Sequence, residues 1–210
     1  MNVGRDSRKP VIGLLGGVGA GKSTVAAELV KLGCVLVDAD AIGHELLEDP
    51  EVQAELRRLW GDGVFDSAGR VDRPAVARIV FNSLEDLAAL NRVMHPRMRR
   101  RMAERIEAAS YDPAIPAVAV DAALLLETDW HELCTVFVYV SAPAELRAQR
   151  VERDRGWDRA TWKQRENSQK PLDMKADRAE YDIDGSSSLS CLREQVRSVF
   201  QKMVNPADRP

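Results

Sequence analysis

At 210 residues the chain has room for one domain with an inserted lobe or lid, and 45% hydrophobic residues with four Trp bury a sizeable core, which excludes disorder. Thirty basic residues against 33 acidic ones leave a net charge of -3, which argues against a general nucleic-acid binder but still allows an anionic ligand held by local basic clusters. Three cysteines, Cys34, Cys134 and Cys191, far apart and without a CxxC, read as reduced core thiols of a cytoplasmic protein, not as disulfides or zinc ligands.

The first predicted element is a strand over the apolar run Val11 to Leu15. It leads directly into Gly16-Gly17-Val18-Gly19-Ala20-Gly21-Lys22-Ser23, which fits G-x-x-x-x-G-K-[ST]. A helix pattern then runs to about Lys31 and is closed by Gly33. In such a loop, glycines let backbone N–H groups turn inward around phosphate oxygens, and the helix N-terminus adds a favourable dipole. Gly17, Val18, Gly19, Ala20, Gly21, Lys22 and Ser23 are therefore expected to cradle the phosphates of ATP. Lys22 is expected to reach the β- and γ-phosphates, and the Ser23 hydroxyl to ligate Mg²⁺. The alternative, a flexible glycine turn between strand and helix, is disfavoured by this strand–loop–helix context.

Cys34 to Val37 is the second predicted strand, and Val37-Asp38-Ala39-Asp40 ends it at the carboxyl edge, where α/β proteins bind ligands. A carboxylate there can take or orient the proton of an acceptor hydroxyl. Asp40 also precedes Ala41-Ile42 as a helix N-cap would, and spacing alone leaves both readings open.

No strand pattern follows until Ala117 to Val120. In between, Val52, Leu56, Leu59 and Trp60 share one helix face, Leu87, Leu90 and Met94 another, and Met98, Met102 and Ile106 continue at i, i+4, i+8. Ser83 with Asp86 resembles a capping pair opening the second of these helices. This segment reads as an inserted helical lobe. Its cluster Arg97, Arg99, Arg100 and Arg101 is either a solvated helix face or a surface that draws in an anionic substrate.

Ala117 to Val120 and Val136 to Val140 complete a β–α alternation that predicts a parallel sheet buried on both faces. Ser141 and Pro143 are a helix start, and the densely charged Glu145 to Lys175 reads as a helix followed by a mobile lid. Leu189, Leu192, Val196, Val199, Phe200 and Met203 form the stripe of a last helix that packs onto the sheet. No N-K-x-D occurs, and neither D-x-x-G string (Asp66 to Gly69, Asp182 to Gly185) follows the third strand, which disfavours a GTPase switch. His44 and His131 have no partners at metal-ligand spacing. No apolar run of about 18 residues is available to cross a membrane, and the charged first ten residues contain no secretory signal.

Taken in order, the motifs resemble the dephospho-CoA kinase family, which phosphorylates the ribose 3′-hydroxyl of dephospho-CoA with ATP in the last step of coenzyme A synthesis. The resemblance rests on Gly13 to Thr24 and Val37-Asp38-Ala39-Asp40, then Trp60-Gly61, Gly69 to Arg73, Val80-Phe81, Leu90-Asn91 and His95-Pro96. Leu124-Leu125-Leu126-Glu127, Arg150, Arg153, Gln169 and Lys175 continue it. It implies a three-layer α/β P-loop NTPase fold with a parallel sheet. The core would be about 11–40, 115–145 and 179–204, the helical acceptor lobe about 41–112 and the lid about 146–176.

The resemblance also implies site roles. Asp40 would be the base or orienter of the hydroxyl, with Asp38 supporting Asp40 or the metal. His95, Leu125 and Glu127 would complete the acceptor side; a helix-terminal histidine before a proline break is the other reading of His95. Thr24, Arg150 and Arg153 would join the loop on the ATP side, and Arg150 would act in catalysis beside Lys22 and Asp40. A solvated helix face is the alternative for the two arginines. Asp121, ending the third strand, would stand behind the magnesium, although the family does not insist on Asp there. ATP and dephospho-CoA are the expected partners of a monomer or small homo-oligomer. Ala123, Leu126, Arg147 and Gly185 depart from residues common in the family (Pro, Phe, Gln and Asn).

Overall fold

The computed structural model describes residues 9–205. The expectation that the first ten residues hold no secretory signal concerns residues that lie almost wholly outside the described ones. In chain order the elements are β1 (Val11–Leu15), α1 (Lys22–Lys31), β2 (Val35–Asp38), α2 (Ala39–Leu46), α3 (Pro50–Trp60), α4 (Arg73–Asn82) and α5 (Leu84–Tyr111). These are followed by β3 (Val118–Asp121), β4 (Val136–Ser141), α6 (Ala144–Arg155), α7 (Arg159–Asn167), α8 (Leu172–Arg178), β5 (Tyr181–Asp184) and α9 (Leu189–Val204).

The chain divides into two compact units, one formed by the described residues up to Asp38 with those from Arg105 on, the other by Ala39–Glu104. The first holds a parallel five-stranded sheet in the order β2-β3-β1-β4-β5. All five residues of β1 are buried, as expected of a central parallel strand covered on both faces. α1 and α9 pack over the sheet through Val25, Leu29, Leu192, Val196, Phe200 and Met203 against Ile12, Leu14, Val138 and Ile183. Near β4, the Arg178 guanidinium at the end of α8 lies above the Phe137 ring, 4.4 Å from its centre.

The four strands expected from the sequence are present, each within a residue of its predicted bounds. β5 was not anticipated. Only Ile183 in it is buried, between polar Asp182 and Asp184, so the edge strand carries too little apolar signal to stand out. The stretch Glu145 to Lys175 is also more ordered in secondary structure than one helix and a loop, forming α6, α7 and most of α8. Leu189, expected in the α9 stripe, is 49% exposed. Cys191 is exposed and is not a core thiol, whereas Cys34 is buried.

The second unit is helical throughout, apart from the isolated bridge Phe65–Val71. Two of its helices, α3 and α4, start on side-chain caps: Asp49 accepts from the Glu51 N–H at 2.8 Å and Asp72 from the Ala75 N–H at 3.1 Å. The expected Ser83–Asp86 pair is formed, with the Asp86 N–H donating to Ser83 Oγ at 3.1 Å. Val64, Val76 and Val80 form one small cluster in it, with Trp60, Ile79 and Leu90 against them, while Ile42, Val52, Leu56 and Met102 are also buried. Leu59 and Leu87 stay exposed, contrary to their predicted faces. His95-Pro96 does not end a helix: α5 runs through it for 28 residues. A proline removes one backbone donor, and the turns on either side hold the helix together. Among the described residues no helix is long and apolar enough to cross a membrane.

Candidate active site

The loop between β1 and α1 is built as its sequence demands. Gly19 has φ +84°, and a Cβ there would lie 2.5 Å from the carbonyl oxygen of Arg147, so both backbone conformation and space require glycine. α1 begins at Lys22 with no side-chain cap and no acidic residue in its first turn. Its first N–H groups and dipole are thus left for an external anion. The Lys22 ammonium folds back onto the loop, donating to the Gly16 carbonyl at 3.0 Å and the Gly17 carbonyl at 3.2 Å. Burial lowers its pKa from the ordinary lysine value, and the Asp121 carboxylate partly counters that. Ser23 and Thr24, next along α1, are exposed.

The carboxyl edge of the sheet brings Asp38 and Asp121 into register on adjacent strands, and Leu14 of β1 pairs with Asp121 on its other side. Asp121 therefore ends the strand next to the one that feeds the loop. Asp40 is exposed and lies inside the first turn of α2, one residue past its start, so it is not the N-cap. A carboxylate there still suits the helix dipole. Asp40 and His95 both belong to the helical unit, and His95 is half-buried on α5.

Two arginines treated alike in the sequence part company here. Arg150 donates to the Ala20 carbonyl at 3.2 Å and the Gly185 carbonyl at 2.7 Å, tying the loop to the turn after β5. Arg153 points to solvent and pairs with its neighbour Asp154 at 2.7 Å, with 74% of its side chain exposed. The guanidinium whose charge is felt at Lys22 is Arg155, which the sequence did not single out. In the helical unit, the arginine cluster is largely engaged with acids: Arg97 with Glu55 at 2.6 Å, Arg100 and Arg101 with Glu104.

α7 is docked on the phosphate loop. Trp162 Nε1 donates to the Val18 carbonyl at 3.2 Å, and its ring packs with Val18, Ala148 and Val151. Arg147, 3% exposed, donates from Nε to the Ala142 carbonyl at 3.1 Å, pairs with Glu166 of α7 and stacks 5.3 Å from the Trp162 ring. Its guanidinium also fills the space where Gly17 would carry a Cβ. The departure at 147 thus has a structural meaning: an arginine reaches both the loop and the acid on α7. Neither Trp162 nor Glu166 belongs to a recognisable motif, and only their position on a folded α7 reveals them.

The turn after β3 places Leu125 in the core, 1% exposed, and leaves Glu127 as its polar end. Glu127 Oε1 accepts from the Lys170 N–H at 2.7 Å and lies 3.2 Å from Lys175 Nζ. Lys175 in turn donates to Gln169 Oε1 at 2.8 Å.

Comparisons with known proteins agree with this fold. The sequence profile of the family described as CoaE, dephospho-CoA kinase, matches residues 10–190. The chain is 36% identical over 200 residues to a dephospho-CoA kinase of Chlorobaculum tepidum, spanning 92% of this chain and 95% of that protein. It is 35% identical over 209 residues to one of Thermus thermophilus, spanning 98% of each. A crystal structure from Thermus thermophilus superposes with a TM-score of 0.78 at 35% identity, covering 93% of this chain and 98% of the other. Shikimate kinase from Acinetobacter baumannii, at 20% identity, TM-score 0.50 and 92% coverage of each chain, shares the fold. With an intact phosphate loop on a parallel sheet and a profile match across most of its length, the chain belongs to the dephospho-CoA kinase family.

Proposed function

We propose that this chain transfers the γ-phosphoryl group of ATP to the ribose 3′-hydroxyl of dephospho-CoA, releasing ADP and coenzyme A. The observation that carries the reading is the loop of a family member left ready for an anion: Lys22 and the uncapped start of α1, with no acid in its first turn, beside the carboxylates at the strand ends. On binding, nucleotide phosphates would take over the Lys22 hydrogen bonds now made to Gly16 and Gly17. Arg150 would keep the loop and the turn after β5 in place around the nucleotide. Arg153 would contribute only by leaving Asp154.

The oxygen donors near the loop fit Mg²⁺. Among the described residues no three His, Cys, Asp or Glu side chains gather as a closed metal cage, and Mg²⁺ arriving with a nucleotide needs only one or two protein oxygens beside phosphate and water. Ser23 would supply the hydroxyl ligand, with Asp121 behind it. The ion, when bound, neutralises charge on the phosphate oxygens. Asp40 takes or orients the proton of the 3′-hydroxyl, and Asp38 supports it. Transfer is in line, with no covalent enzyme intermediate, and its rate comes from positioning and charge stabilisation. His95 and Glu127 serve the acceptor side, with Leu125 as the buried support of the Glu127 turn.

Product analysis tests the proposal. With ATP, Mg²⁺ and dephospho-CoA, the protein should form coenzyme A and ADP faster than it turns over with AMP or adenosine as acceptor. Faster transfer to AMP or adenosine would refute the acceptor and leave the phosphate loop standing.

A further inference from the structure

Lys175 is a buried lysine that the proposed reaction does not yet use. It is 3% exposed, at the end of a lid segment whose surface is otherwise heavily charged and solvated. An ammonium group is seldom taken out of water without a strong reason, because the desolvation cost has to be met by partners. Its partners are Gln169 Oε1 at 2.8 Å and Glu127 Oε1 at 3.2 Å. Among the described residues, two acceptors leave one of its three N–H donors open. Glu127 is fixed in turn by the Lys170 N–H at 2.7 Å, and its other oxygen, Oε2, is buried with no hydrogen-bond partner among the described residues. A buried, unsatisfied carboxylate oxygen beside a lysine with a spare donor marks a polar site built for something more than its own side chains.

The location says what that something is. Glu127 ends the turn that follows β3, one strand from the phosphate loop, and the charges of both Lys175 and Glu127 are felt at the Lys22 ammonium. Two lysines whose charges oppose each other, one on the loop and one on the lid, form an arrangement that is unfavourable when empty. It becomes favourable when a polyanion sits between them.

We propose that Lys175 is a second phosphate-binding lysine of the transfer site, presented by the lid, held in place by Glu127 and Gln169, and in contact with the phosphoryl group in flight. The inference rests on the phosphotransfer reading above. The γ-phosphorus–oxygen bond to the ADP leaving group breaks and a bond to the acceptor oxygen forms. The hydroxyl proton passes to Asp40, and ADP departs with the bonding electron pair. Lys175 forms no covalent bond; it donates a hydrogen bond to an equatorial phosphoryl oxygen, where charge is spread in the transition state. Because Gln169 and Lys170 flank the same node, closing the lid and completing the charge set are one event.

The test uses the full chain and three variants: Lys175→Met, Glu127→Gln, and the two combined. Parent turnover with dephospho-CoA is the control; its absence would refute the phosphotransfer reading, whereas normal variants beside an active parent would refute only the role of Lys175. Lys175→Met should lower kcat on the order of 10²–10³-fold, as loss of one charge-stabilising donor does. It should also weaken MgATP binding about tenfold more than MgADP binding, since only ATP carries the phosphoryl group in question. Lys175→Met leaves the largely shielded Glu127 carboxylate without its counter-charge, so thermal stability should fall, and the combined variant should recover that stability. A purely structural pair would recover turnover along with stability. The combined variant should instead stay as slow as Lys175→Met. Turnover of the combined variant within about threefold of the parent, or equal weakening of ATP and ADP, would overturn the proposal.

Discussion

Replacing Trp162 by Phe should loosen α7 from the phosphate loop while leaving the sheet intact. The indole N–H donates to the Val18 carbonyl at 3.2 Å, inside a cluster of Val18, Ala148 and Val151 where Trp162 itself is only 8% exposed. Phenylalanine keeps most of the apolar contact but removes the donor and strands the carbonyl, which costs about 1–2 kcal/mol, or about 5–30-fold in the docking equilibrium. Trp162→Ala also loses the ring and its stacking on Arg147, and large-to-small changes of this kind cost about 3–5 kcal/mol. The full effect is capped by the docking free energy of α7 itself: once the helix is released, further loss of contacts changes nothing. Hydrogen exchange of the α7 amides measures this directly. Protection there should fall about 5–30-fold with Phe and further with Ala, while amides of β1, β3 and β4 keep parental protection. A uniform loss across α7 and the central strands would mean that α7 is part of the global folding unit, and unchanged α7 protection would mean that Trp162 does not hold it.

Lys22→Ala should lower turnover on the order of 10²–10³-fold with the circular dichroism spectrum and melting temperature nearly unchanged, since the side chain's hydrogen bonds among the described residues go to its own loop; normal turnover would remove Lys22 from the phosphate cradle. Asp40→Asn should keep ATP binding and slow transfer by roughly 10²–10⁴-fold, whereas Asp38→Asn should be milder; the reverse order in the same steady-state assay would make Asp38 the base. In native protein a thiol reagent near neutral pH should label Cys191 first, because burial pushes the Cys34 and Cys134 thiols up to about 12, and fast labelling of Cys34 would contradict its place in the core.

The loop from Gly16 to Ser23 could be read from the sequence because its function depends on local backbone geometry: glycines, a lysine and a hydroxyl at fixed spacing between a strand and a helix. The central strands were equally legible, since a parallel strand buried on both faces must be apolar along its length, as β1 and β4 are. Edge strand β5, with one buried residue, was not, and the continuity of α5 through Pro96 ran against the local preference of the residue before a proline. Family motifs drew attention to Arg150 and Arg153 together, but helix rotation and neighbouring charges decided that only Arg150 meets the loop while Arg153 turns to Asp154. The links Trp162 to Val18, Arg147 to Glu166 and Lys175 to Glu127 join residues separated by 19 to 144 positions in the chain. A sequence displays such partners as isolated charges and a lone tryptophan. Their pairing exists only once α6, α7 and α8 have packed beside the loop, where burial makes each unpaired donor or charge costly and so fixes which partner it takes.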